Sequence, residues 1–340
     1  MKVLVTGGTG FLGGAVCRLL AQRGDAVTSF ARSQSPALAA LGVAQVAGDV
    51  TSLDSLLAAL PGHDAVIHVA AKPGAWGRLD DYYAANVTGT DNVIAACSMS
   101  GVHKLVHTST PSVVHAGGDL EGVDESVPIA THFKAHYPAT KALAEQHVLA
   151  ANSPDLATVA LRPHLIWGPG DNHLLPRLAA RARAGKLRFV GRESKRIDTT
   201  YIDNAAQAHL DALDRVAPGA ACAGRAYFIS QGQAQPLDQV VNALLRAVGL
   251  PPETRRVPYG VAYAAGAVLE LVYGALRLEA EPPMTRFLAE QLATAHWYDI
   301  SAARRDLGYS PTISTGEGLG RLAEWWMRQK HDASARPATA

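Results

Sequence analysis

The stretch Thr6-Gly7-Gly8-Thr9-Gly10-Phe11-Leu12-Gly13 follows directly on the apolar run Val3-Leu4-Val5 and leads into a helical pattern of Leu12, Val16, Leu19 and Leu20. A short apolar strand, a glycine-dense turn and then a helix form the opening of a βαβ unit that binds a dinucleotide. Gly7 permits the tight turn, Gly10 lets the backbone approach a pyrophosphate, and Gly13 lets the helix pack closely on its strand. The phosphates then sit on the helix N-terminus, where free N–H groups and the dipole favour negative charge.

Outward from this loop, strand and helix patterns alternate. Buried strands are expected at 26–30, 43–47, 65–70, 104–108 and 158–161, with helices near 51–60, 82–99 and 138–151 between them. Repeated βα units with right-handed crossovers give an α/β fold, a doubly wound parallel Rossmann sheet. Residues 1–170 are read as this dinucleotide-binding domain, with 198–232 returning to it. A smaller, mainly helical C-terminal substrate domain is expected from 171–197 and 233–330, and a disordered tail from 331–340.

Composition narrows the function. The 340 residues are 48% hydrophobic and 18% charged, enough to bury a sizeable core. With 31 basic against 30 acidic side chains, no field gathers nucleic acid or an anionic membrane. Cys17, Cys97 and Cys222 stand far apart and in odd number, which fits neither a disulfide framework nor a zinc knuckle, so a reducing, cytoplasmic setting is expected. Met1-Lys2-Val3-Leu4-Val5 reaches glycine too soon for a signal peptide. His132 and His136 have the spacing of a metal pair, but Pro138 disfavours a helix there and no third ligand is placed, so no metal is expected.

Two features bear on the cofactor. The second strand ends in Phe30-Ala31-Arg32-Ser33 rather than in the carboxylate that usually takes the ribose 2′-OH of NAD, and a guanidinium there suits the 2′-phosphate of NADP. Asp49 is placed either to hold the adenine amino group or to cap the helix expected from Thr51. His68-Val69-Ala70-Ala71-Lys72 is a strand end with small residues against which a nucleotide can lie. Asn86, inside a helix where Asn is unfavourable, needs partners, either neighbouring elements or the cofactor.

His107-Thr108-Ser109-Thr110-Pro111-Ser112 ends the fifth strand in a crowd of hydroxyls, and Tyr137-Pro138-Ala139-Thr140-Lys141 opens a helix with Tyr and Lys four apart, on one face. A phenol of ordinary pKa near 10 is a poor acid–base catalyst at neutrality, and a neighbouring ammonium with a cationic nicotinamide can draw it down.

Thr6–Gly13, the Tyr137/Lys141 pair, Asn86-Val87-x-Gly89-Thr90 and Leu161-Arg162-Pro163-x-x-Ile166-Trp167-Gly168-Pro169-Gly170 together resemble the extended short-chain dehydrogenase/reductases, in their 3β-hydroxysteroid dehydrogenase-like branch. The resemblance implies Tyr137 as proton donor and acceptor, Lys141 on the nicotinamide ribose, and a hydroxyl that orients the substrate carbonyl. Thr110 matches that hydroxyl position, with Ser109 the alternative. It further implies cofactor contacts at Gly7, Gly10, Phe11, Leu12, Gly13, Arg32, Asp49 and Val50, and at Ala70, Ala71, Asn86, Lys141 and Pro163. Trp167–Arg177 and Ala75-Trp76-Gly77 resemble more narrowly the reductases of bacterial long-chain olefin biosynthesis. That likeness implies an NADP(H)-dependent reduction of a β-keto acid bearing two long alkyl chains, work beside a β-lactone synthetase and a β-lactone decarboxylase, and a homodimer. Alternatives are a 3β-hydroxysteroid or sterol dehydrogenase and a non-enzymatic NADP sensor, the latter disfavoured by Tyr137 with Lys141. The sequence leaves the partner of the substrate carboxylate open among Lys134, His136, His164 and Arg196.

One helix, 261–278, is nearly long enough for a bilayer core, but Glu270 at mid-span makes a transmembrane span unfavourable. Gly266, Glu270, Gly274 and Arg277 form one narrow stripe on it. A buried core helix and a lid or dimer face sheltering alkyl chains are both compatible with the pattern.

Overall fold

The structure, a computed structural model, describes residues 1–335. The glycine loop joins strand β1, Lys2–Thr6, to the helix Phe11–Arg23. Strands β2 (Ala26–Ala31), β3 (Ala44–Ala47), β4 (Ala65–His68) and β5 (Lys104–Thr108) follow, and Ala157–Pro163 and Arg225–Ile229 complete the sheet. Among the described residues these seven strands are all parallel and run in the order Arg225–Ile229, Ala157–Pro163, β5, β4, β1, β2, β3. The order reverses beside β1, so the crevice at the carboxyl ends of β1 and β4 opens at the glycine loop, where such sheets bind ligands.

The inner strands are solvent-free because they are apolar on both faces, Val3, Leu4 and Val5 among them. β3 departs from the expectation of a buried strand: Ala44, Val46 and Ala47 are exposed, because β3 is the last strand and has one neighbour. The helix expected over 82–99 is broken into Leu79–Tyr83, a π-helical turn Ala84–Thr88 and Gly89–Met99. The bulge contains Asn86.

The C-terminal half returns to the sheet twice, through helix Ile202–Arg215, which packs on Phe11–Arg23, and through strand Arg225–Ile229. A second sheet, in the order Gln235–Pro236, Arg196–Ile197, His296–Tyr298, Leu120–Val123, takes one strand from the N-terminal half. The long helix Thr315–Ala335 continues through 331–335, where loss of structure was expected; 336–340 lie outside the described residues.

Helix Tyr259–Ala275 is not the buried core helix that its composition allows. It buries Ala262 and Gly266 and leaves Val261, Val268, Leu271 and Val272 exposed, Leu271 by 74%. Of the stripe, Gly266 and Glu270 face inward, whereas Gly274 and Arg277 are exposed. Glu270 accepts from the backbone and side chain of Arg286 at 2.7 and 2.6 Å, and a Cβ on Gly266 would lie 2.6 Å from the Thr285 backbone. Gly274 lies against Trp76, whose indole donates to the Leu278 carbonyl just past the helix. No helix among the described residues is long and apolar enough to cross a membrane.

Candidate active site

The cradle for a dinucleotide is built by β1 and the helix after it. Gly7 has φ +69°, which only glycine adopts freely, and an added Cβ would sit 2.9 Å from the Ala70 backbone. A Cβ on Gly13 would strike the Gly7 carbonyl. The helix N-cap, Gly10, offers no side-chain cap, and the first turn holds no acid, so its N–H groups and positive end remain available to a pyrophosphate. This donor set fits the group that the fold implies. Phe11 packs near Gly170, whereas the Leu12 and Val50 side chains are buried in the core, which leaves only their backbone to meet a dinucleotide. Arg32 is exposed just past β2, beside Ser33, whose hydroxyl lies 3.4 Å from that of Thr9. Asp49 accepts from the N–H and hydroxyl of Thr51, both at 2.9 Å, and closes the turn; the helix itself starts at Leu53 with Ser52 as its cap. Ala70 and Ala71 lie just past β4, and Pro163 ends its strand opposite Ile229.

Asn86 resolves to a strut. Its Oδ1 accepts from Lys72 N at 2.7 Å and its two amide hydrogens go to Lys72 O at 3.2 Å and Thr140 Oγ1 at 3.0 Å, so the strand-end loop is tied to the helix His136–Ala150.

That helix carries Tyr137 and Lys141. Pro138 is tolerated because it lies in the first turn, where backbone N–H groups have no helical partner. The phenol of Tyr137 is hydrogen-bonded to the Thr110 hydroxyl; burial pushes its pKa up to about 12, opposed by that bond. Thr110 also caps the 3-10 turn Pro111–Val114, accepting from Ser112 N. Ser109 is buried with its hydroxyl unpartnered, and the Thr108 hydroxyl is turned to His209 Nε2 at 2.8 Å, so Thr110 is the hydroxyl joined to Tyr137. Lys141, 2% exposed, donates to Thr108 O at 2.7 Å and lies 3.0 Å from His107 Nε2. Burial brings its pKa down to about 7, against the pull of Glu145 one turn on.

The buried polar groups next to this helix carry little sequence signal. Glu145 and Arg162, both buried, form a bidentate ion pair at 2.9 and 2.6 Å that ties the catalytic helix to strand Ala157–Pro163. Their cue is weak: a Glu four residues past Lys141 and an Arg in an otherwise apolar strand. His107 is read in sequence only as part of a strand end. Of the candidates for a substrate carboxylate, Lys134 is paired with Glu290, His164 lies 2.5 Å from Asp198, and Arg196 donates to Ala234 O. His136 is exposed in the first turn of the catalytic helix, its ring 6.1 Å from that of Tyr82.

A Rossmann sheet with a Tyr–Lys pair and an orienting hydroxyl at its carboxyl edge defines an oxidoreductase of the short-chain dehydrogenase/reductase type, acting on hydroxyl or keto groups with a nicotinamide cofactor. Residues 4–259 match the 3-beta hydroxysteroid dehydrogenase/isomerase family, and the chain belongs to it. It is 57% identical over 324 residues to the 2-alkyl-3-oxoalkanoate reductase of Stenotrophomonas maltophilia, covering 95% of this chain and 98% of that one. To the enzyme of the same name from Shewanella oneidensis it is 51% identical, covering 94% and 84%. Among solved structures, MoeE5 in complex with UDP-glucose and NAD superposes with TM-score 0.73 at 25% identity, over 97% of this chain and all of that one.

Proposed function

We propose that the protein is an NADPH-dependent reductase of 2-alkyl-3-oxoalkanoic acids, forming 2-alkyl-3-hydroxyalkanoic acids in long-chain olefin biosynthesis. The observation that carries this reading is the 51–57% identity, across nearly the whole chain, to two reductases of that name. The bound dinucleotide supplies the hydride. Thr110 holds the substrate carbonyl oxygen beside Tyr137, the phenol gives its proton to the developing alkoxide, and the Lys141 ammonium stabilises the phenolate left behind. A phenol that burial keeps protonated suits this direction, because the reduction consumes its proton.

Arg32 and Ser33 support NADP over NAD, as a guanidinium and a hydroxyl placed for a 2′-phosphate with no carboxylate between them. The exposed apolar face of helix Tyr259–Ala275 is the proposed wall or mouth for the alkyl chains. The product, a β-hydroxy acid, is the substrate class of a β-lactone synthetase, and the reductase is proposed to work as a homodimer beside that enzyme and a β-lactone decarboxylase.

The test is a coupled assay with NADPH and NADH on 2-alkyl-3-oxo acids, with the hydroxy acids for the reverse reaction, run beside 3β-hydroxysteroids. Alkyl keto or hydroxy acids with the NADP form are expected to give the highest kcat/KM. Steroid turnover above that of every alkyl acid overturns the reading of the substrate, and a preference for NADH overturns that of the coenzyme.

A further inference from the structure

His107 stands in β5, wholly buried, opposite His68 of β4 in register. Its Nε2 is 3.0 Å from Lys141 Nζ, and the same ammonium donates to Thr108 O at 2.7 Å. In its charged form the Lys141 amine has three donors and no acceptor, so the imidazole nitrogen facing that form accepts, and the ring is then neutral with its proton on Nδ1. That Nδ1 is sealed from solvent and has no hydrogen-bond partner among the described residues. A ring held for its own stability would use both nitrogens, as its neighbour does. Thr6 Oγ1 accepts from Val69 N and Ala70 N, so it donates to His68 Nδ1 at 2.7 Å, and His68 Nε2 donates to Thr90 Oγ1 at 3.0 Å.

We propose that His107 is a positioning residue for Lys141: it takes one ammonium hydrogen, the Thr108 carbonyl takes a second, and the third is left for the catalytic cleft. This rests on Tyr137 and Lys141 being the acid–base pair. The titratable groups facing the ammonium are His107 from β5 and His68 from β4, with His209 of Ile202–Arg215 beyond His107 and Glu145 one turn on along its own helix. Burial pushes the pKa values of His68, His107 and His209 down, so none competes as a cation near neutrality. Glu145 is the nearest acid, and its carboxylate is engaged by Arg162. The acceptor on His107 therefore favours the charged lysine, and losing it makes the ammonium give up its proton at lower pH.

The experiment compares pH profiles of kcat/KM for wild type, His107→Leu, His107→Gln and Tyr137→Phe. In His107→Leu the high-pH limb is expected to move down by a pH unit or more, so that the deficit grows with pH, while His107→Gln, which keeps an acceptor, restores the limb. Should the leucine variant not fold, His107→Ala is read in the same way. A loss uniform across pH, as a packing defect gives, overturns the proposal, and so does an unmoved limb. Wild-type turnover in Tyr137→Phe overturns the site reading instead. Ring ¹⁵N resonances of the cofactor-free protein give an independent readout: a neutral His107 with its proton on Nδ1 is expected at mildly acidic pH, where Lys141 is charged, and a proton on Nε2 there overturns the proposal.

Discussion

At the scale of single residues the site separates chemistry from placement. On the proposed mechanism Tyr137 gives the proton that the reduction consumes, and its phenol is hydrogen-bonded to the Thr110 hydroxyl. Tyr137→Phe is therefore expected to leave coenzyme affinity within about twofold and melting temperature nearly unchanged. Removing a positioned general acid lowers kcat by about 10²–10⁴-fold; fluorescence titration with NADPH beside steady-state kinetics checks both halves. Arg32 is the complementary case, exposed and remote from the chemistry. If it forks the 2′-phosphate through charge-assisted hydrogen bonds of about 1.5–3 kcal/mol, Arg32→Ala loses about 10- to 100-fold in kcat/KM for NADPH and leaves that for NADH alone. Equal losses for both coenzymes remove Arg32 from the selectivity. The placing of Tyr137 and Lys141 on one helix was legible because i and i+4 share a face, whereas Thr110 was reached over Ser109 only through the family resemblance, and it lies just past the end of β5. His107 was not legible. Inside a strand buried on both faces nothing in the alternation says which neighbour a ring meets, and its partner lies 34 residues away.

At the scale of elements, what could be read from sequence was what periodicity encodes. β1, β4, β5 and the strand at 157–163 are apolar runs bounded by turns, so their existence was plain. The exposure of β3 depends on having no further neighbour, a fact of topology absent from Ala44–Ala47 itself. Tyr259–Ala275 shows the opposite failure. Its composition allowed a buried core helix, yet only the side bearing Gly266 and Glu270 packs, because close approach to Arg286–Ala293 needs a small residue and Glu270 finds its cation there. Gly266→Leu is accordingly expected to destabilise by about 1–3 kcal/mol through overpacking against the Thr285 backbone. Val268→Asp, on the exposed side, changes stability by less than about 0.5 kcal/mol. Denaturant midpoints decide, and the reverse order would mean that the outer face is the packed one. The catalytic helix has its own test. Glu145→Gln leaves the Arg162 guanidinium buried without its countercharge, a loss of about 3–5 kcal/mol. Both its stability and its kcat are expected to fall, because the pair fixes the helix that bears Tyr137 and Lys141; loss of stability with intact kcat in the folded fraction would make the pair structural only.

At the scale of the whole molecule, the sheet supplies a cofactor edge common to much of the fold class, and the segments after it decide what is reduced. MoeE5, bound to UDP-glucose and NAD, shares the fold at TM-score 0.73, so the fold by itself does not select an alkyl substrate. The proposed substrate element is an exposed apolar surface on and just past helix Tyr259–Ala275, with Leu271 and Leu276 at 74% and 65% exposure, joined through Trp76 to the loop after β4. Each methylene fully removed from water contributes about 0.8 kcal/mol, or about fourfold in kcat/KM. With a wall of limited length, kcat/KM for 2-alkyl-3-oxo acids is expected to climb with chain length at up to that slope and then level off. Leu271→Asp and Leu276→Asp alter side chains that the fold does not bury, so stability and short-substrate turnover are expected to hold while the slope flattens. A slope unchanged in both variants would place the alkyl chains elsewhere in the molecule. A slope of zero in wild type would separate this chain from the long-chain substrates altogether.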